Sequence, residues 1–169
     1  MLPAVTRIEP PVHGDERPML TAWLDWQRST LLRKCELLDG QALARRSVPT
    51  SNLSLLGIVR HMAAVEWSWF VRVFTASAAP GPISLEQDRD ADFNDLDPAR
   101  AMDDIAMFER QCEVSRRIAA AARSLDDMAA WTKREVSLRW IMVHMIEEYA
   151  RHNGHADLLR EAIDGAVGE

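Results

Sequence analysis

Residues 53–76 carry the strongest constraint on the fold. Leu53, Leu55, Leu56, Ile58, Val59, Met62, Val65, Trp67, Trp69, Phe70, Val71, Val73 and Phe74 leave this run almost no polar side. Helical in pattern and apolar nearly all round, such a run has to lie in the middle of a helical assembly or at a subunit interface. Three other helical patterns can surround it. The first starts near Glu16 or Pro18 and reaches about Leu38, with Leu20, Trp23, Leu24, Leu31, Cys35 and Leu38 recurring at threes, fours and sevens before Asp39-Gly40 stops it. A polar connection of roughly 39–51 leads to Ser51-Asn52, either of which can cap the second helix. The third follows Asp97-Pro98, a capping Asp with Pro at the first helical position, and runs to about Ala122. The fourth spans about Ser137 to Ile163 and is closed by Gly165. With no strand pattern and no internal repeat, the expected fold is all-α, an antiparallel four-helix bundle.

At 169 residues the chain is long enough to bury a core without disulfides, so one domain covering 1–169 is expected. Within it, Pro3, Pro10, Pro11 and Gly14 make residues 1–17 an extended arm laid on the surface. The net charge of -6 comes with no Lys/Arg run that could follow a phosphate backbone, which excludes nucleic acid as the expected partner. No stretch approaches the roughly 20 apolar residues of a membrane span, and the N-terminus lacks a secretory pattern. A cytoplasmic protein is expected. Cys35 and Cys112, far apart and outside any CxxC spacing, read as reduced core thiols. The apolar second helix, or the N-terminal arm, suggests a homodimer. The long connection 77–96, with Pro80-Gly81-Pro82 and an acidic run from Asp88 to Asp97, has the length of a functional loop.

The fourth helix holds His144, His152 and His155 together with Glu147 and Glu148. At about 100° per residue, His144, Glu148, His152 and His155 fall within about 80° of one another and form one line beside the core. Glu147 projects about 100° from Glu148, toward solvent with Arg151. The second helix offers His61, flanked by a row of small residues, Ser54, Gly57, Ala64 and Ser68, that leaves room beside the imidazole. Imidazole and carboxylate at i and i+4 aim at one point, and a third donor from a facing helix completes an open divalent-metal site of His61, Glu148 and His152. The same spacing also serves as a plain helix-stabilising contact, and a single His on an apolar helix as a core residue.

These residues resemble the DinB/YfiT-like superfamily, and the tail EEYARHNGHADLLREAIDG resembles its actinobacterial "mini-circle" branch. The likeness extends over nearly the whole chain, through GDERPMLTAWLDWQRSTLLRKCELL, SNLSLLGIVRHMAAVEWSWF and that tail. It implies a metal, zinc or nickel, between His61, Glu148 and His152, with Gly154 completing a His-x-Gly step. Many relatives have His where this chain has Glu148, but mycothiol-dependent maleylpyruvate isomerases have Glu there. His155 stands where many relatives have Gln, as a substrate contact, a donor behind the metal or an alternative ligand; His144 is a packing or supporting residue. The resemblance further implies a transferase or isomerase using a small-molecule thiol, mycothiol, against an electrophile. Coordination to a divalent cation would convert that thiol to thiolate. Arg72 lies near the His61 face, where it can meet a carboxylate or stand as an exposed helix-end cation, and Trp67, Trp69, Trp131 and Trp140 can line a pocket or the core. A non-catalytic dimeric binding or stress protein, and a metal-assisted hydrolase, are the alternatives.

Overall fold

The structure, a computed structural model, describes residues 1–84, 88–131 and 135–168. Its long helices are α1 (Glu16–Cys35), α3 (Leu55–Glu66), α5 (Ala101–Ala121) and α6 (Leu138–Asp164), with two short helices, α2 (Gly40–Ala44) and α4 (Ala91–Asn94), in the connections. A 3-10 turn, Pro98–Arg100, leads into α5. Among the described residues there is no strand, only an isolated bridge between Met128 and Ser137. The described residues make an all-α fold.

Local chemistry corrects several boundaries. α1 ends at Cys35, where Glu36 turns extended and Leu37 takes a positive φ of 63°. Asp39-Gly40 does not stop that helix; the Asp39 carboxylate accepts from Ala42 N and starts α2. Neither Ser51 nor Asn52 caps the next helix, since the buried Ser54 hydroxyl accepts from Gly57 N instead. Beyond Glu66 the chain stays helical but widens into a π-helical segment, Trp67–Phe74. There each bond spans five residues instead of four, an arrangement that is rare and often found at functional sites.

α1 packs chiefly on α6, and α3 on α5, with α3 also meeting α1 and α6. Contacts along the pairs give the chain directions. Glu16 meets Arg139, Gln27 meets Asn153 and Lys34 meets Asp157, so α1 and α6 run the same way. Arg60 meets Asp104 and Glu66 meets Cys112, so α3 and α5 also run the same way. α1 opposes α5, from Arg17 at Ala119 to Asp25 at Arg116, and α3 opposes α6. The expected antiparallel order is therefore corrected: two parallel pairs face each other. The long 77–96 connection allows this, because it returns the chain along α3 before α5 begins.

The apolar α3 is covered within its own chain: Leu55, Leu56, Ile58, Val59 and Met62 are fully buried in the core with Leu31, Phe108, Met145 and Tyr149. At its centre lies a charged cluster. Arg28 donates to both carboxylate oxygens of Glu66, at 2.7 and 2.9 Å, and the Tyr149 hydroxyl donates to Glu66 Oε1 at 2.8 Å. Burial by itself would lower Arg28, but Glu66 holds it well above its ordinary value. Cys112 lies against the same carboxylate, and burial pushes its thiol up to about 12. Cys35 and Cys112 are both buried and free. The N-terminal arm turns back along α1, with Leu2 O accepting from Leu37 N, Val5 N donating to Glu36 and Arg7 over the Trp26 ring.

Candidate metal centre

α3 and α6 run past each other so that His61 and His152 meet, with ring centroids 4.7 Å apart. On α6 the i, i+4 spacing places Glu148 between two histidines, 3.4 Å from His144 Nε2 and 3.7 Å from His152 Nε2. His155 closes the row, its ring 5.7 Å from that of His152. The structure thus sets His152 against both His61 and Glu148.

His61 is held from behind. Gly57, one turn earlier on α3, has no side chain, and a Cβ there would sit 2.9 Å from the Phe93 ring. That gap lets α4 settle on α3, where Phe93 stacks on the His61 imidazole at 5.0 Å. Arg60 fastens α4 from the other side, donating to the carbonyls of Ala91 and Asp92 and to Asp104 on α5. In this position the buried Asp92 accepts from His61 Nδ1 at 2.7 Å. A carboxylate only accepts, so Nδ1 of His61 carries a proton, and the nitrogen left to bind a ligand is Nε2.

His152 has the opposite character. Its Nδ1 is buried without a partner, and its Nε2 is beyond hydrogen-bond distance from Glu148. Burial, helped by His61, His155 and Arg151, lowers it to about 4, so the ring is neutral at physiological pH. His155 Nδ1 is also buried and unpartnered. Buried polar atoms are nearly always satisfied, and two orphaned imidazole nitrogens side by side ask for a ligand. One Asp-anchored imidazole, one neutral imidazole and a carboxylate form a donor set that suits zinc or nickel.

Among the described residues, the group whose ligand atoms all lie within 4.8 Å of one another is His144, Glu147 and Glu148, not His61, Glu148 and His152. That second grouping is less suited to holding an ion. The Glu147 carboxylate is half-exposed and bonded to Arg151 at 3.0 Å, and the His144 ring packs between Trp140 and Trp69, 4.8 Å from each. Gly154, from the His-x-Gly step, has open space beside it, so no packing contact demands a glycine there.

Beyond His61 the row of small residues continues to Ala64 and Ser68, which line a cavity of about 460 Å³ together with Trp67, Arg72 and the loop from Pro80 to Ser84. Arg72 belongs to this cavity and not to the histidine cluster. The π-helical turn re-phases the residues beyond Glu66, so α-helical counting from His61 does not place Arg72 correctly.

A family model described as mycothiol-S-transferase matches residues 19–165, a span that contains all of these residues. The chain belongs to the mycothiol-S-transferase family. Comparison with curated proteins and comparison with solved structures gave no match. Membership supports the mycothiol-related, DinB-like reading and a small thiol as partner. No helix among the described residues is long and apolar enough to cross a membrane.

Asp92 is the residue that sequence reasoning missed. It lies in a stretch with Asp88, Asp90, Asp95 and Asp97, and nothing in composition or spacing separates it from them. Its one local mark is the neighbouring Phe93, an apolar residue that needs cover.

Proposed function

We propose that this family member is a thiol transferase or isomerase in which His61, Glu148 and His152 hold a divalent metal, zinc or nickel, and mycothiol is the thiol. The carrying observation is the pairing of an Asp92-anchored His61 with a His152 that has neither nitrogen hydrogen-bonded, beside Glu148. When bound, the metal would supply the positive charge that turns a thiol of pKa about 8.5 into a thiolate at neutral pH. Asp92 keeps the His61 lone pair on Nε2, and burial keeps His152 unprotonated. Glu148 contributes negative charge that leaves the centre less cationic than three imidazoles would. Phe93 stacks on His61, and Trp69 and Trp140 pack against His144, the neighbour of Glu148 on α6. No protein nucleophile is required: in transfer the thiol sulfur bonds to the electrophilic carbon as that carbon's bond to its leaving group breaks and the thiol proton goes to solvent, and in isomerisation the sulfur adds as a carbon–carbon π bond opens and is expelled when that bond re-forms.

The fold that goes with this reading is a single-domain, DinB/YfiT-like four-helix bundle with two parallel pairs, cytoplasmic in setting. A homodimer would use the arm, where Ile8 and Val12 stand exposed. The test is the metal content of untagged protein beside the His61→Ala, Glu148→Ala and His152→Ala variants. About one equivalent of divalent metal is expected in the wild type and little in each variant, with helical circular dichroism retained. Glu147→Ala serves as the control and should keep its metal. Absence of metal after zinc and nickel addition would refute the centre, and turnover that persists without thiol would identify hydrolysis instead.

A further inference from the structure

The cavity beside the histidine cluster has its own chemistry. Arg72 stands at its wall with the guanidinium 5.6 Å from the ring centroids of both Trp67 and Trp131, and no acid pairs with it among the described residues. Trp67 lines the cavity as well, and its indole Nε1, a donor only, is buried without an acceptor. Ser68 adds a hydroxyl, and no carboxylate lines the cavity among the described residues. Pro80, Pro82 and Ile83 make the remaining wall apolar. Gly81 lets that loop lie flat on Trp67, because a Cβ there would come within 3.2 Å of the ring. A cation flanked by aromatic rings, a hydroxyl and an apolar wall fit a flat organic molecule ending in a carboxylate. The location matters too: Ala64, one turn along α3 from His61, lines the cavity, so the cavity lies on the helix that carries His61.

We infer that this cavity seats the electrophile, and that the substrate class is small, planar carboxylic acids bound through Arg72. This rests on the thiol-transfer reading for its catalytic sense, but the cavity's preference for carboxylates does not. With a halomethyl benzoate, the sulfur–carbon bond would form as the carbon–halogen bond breaks; the halide leaves with the electron pair and the thiol proton passes to buffer.

The experiment is calorimetric titration of the full-length protein with benzoate and with benzamide, before and after EDTA treatment, in wild type, Arg72→Gln and Arg72→Lys. Benzoate should bind the wild type at least tenfold more tightly than benzamide, with or without EDTA. Arg72→Gln should lose that preference, and Arg72→Lys should retain part of it. Equal binding of the two probes, unchanged benzoate affinity in Arg72→Gln, or loss of benzoate binding on EDTA treatment would overturn the proposal. In the kinetic arm, the preference for a halomethyl benzoate over its amide should fall at least tenfold in Arg72→Gln. If wild type turns over neither compound, the thiol-transfer reading fails, while the benzoate titration still decides the cavity.

Discussion

Two polar clusters sit on the same facing helices, α3 and α6, barely more than a turn apart. The inner one, around Glu66, is closed. Arg28 and Tyr149 take up the carboxylate, and among the described residues none of these side chains has an unpartnered buried polar atom. The outer one, around His61, is anchored on one side by Asp92 and unsatisfied on the other, where Nδ1 of His152 and Nδ1 of His155 are buried without a partner. Burial alone therefore does not mark function. A satisfied buried network holds helices in register, whereas an unsatisfied one beside a cavity is built to receive something.

The comparison can be broken most forcefully at Glu66. Glu66→Ala leaves the buried Arg28 with Asp25 as its remaining acid and the Tyr149 hydroxyl without its acceptor, and should cost about 3 kcal/mol of stability in urea denaturation. A loss below about 1 kcal/mol would mean that the inner cluster does not lock the helices. Asp92→Asn should act differently, leaving helix content and most stability intact while lowering metal affinity about 10–100-fold in chelator competition. Unchanged affinity would reduce Asp92 to a packing residue.

A smaller effect separates the two clusters by pH. His152 is held at about 4 in the folded protein against 6.5 for an ordinary imidazole, chiefly by burial. Between those values the unfolded chain takes up a proton that the folded ring refuses. The corresponding stability is intact above about pH 6.5 and is lost as the pH falls toward 4. In metal-free protein the urea midpoint should fall over this window, and fall less in His152→Asn. Equal pH dependence of the two proteins would show that the His152 ring is not desolvated.

The histidine line on α6 was legible because helical spacing turns i and i+4 into neighbours whatever the rest of the chain does. Glu148 and His152 follow directly, and His61 stood out as a titratable residue on an apolar helix. Glu66 and Asp92 were not legible. Glu66 sits among tryptophans and valines with no local sign of its partners, which lie 38 and 83 residues away in sequence at Arg28 and Tyr149. Asp92 is one of several equivalent acids until Gly57 admits Phe93 and α4 comes down on α3.

The sequence by itself determined the helical class, the apolar run that had to be covered and the row of donors along α6, because all three depend on short-range periodicity. Tertiary structure decided the parallel pairing of α1 with α6 and of α3 with α5, the covering of α3 within one chain, the acid behind His61 and the cavity holding Arg72. Each of these depends on where a long connection returns, or on a change of helical pitch after Glu66. Neither is set by the residues within one or two turns.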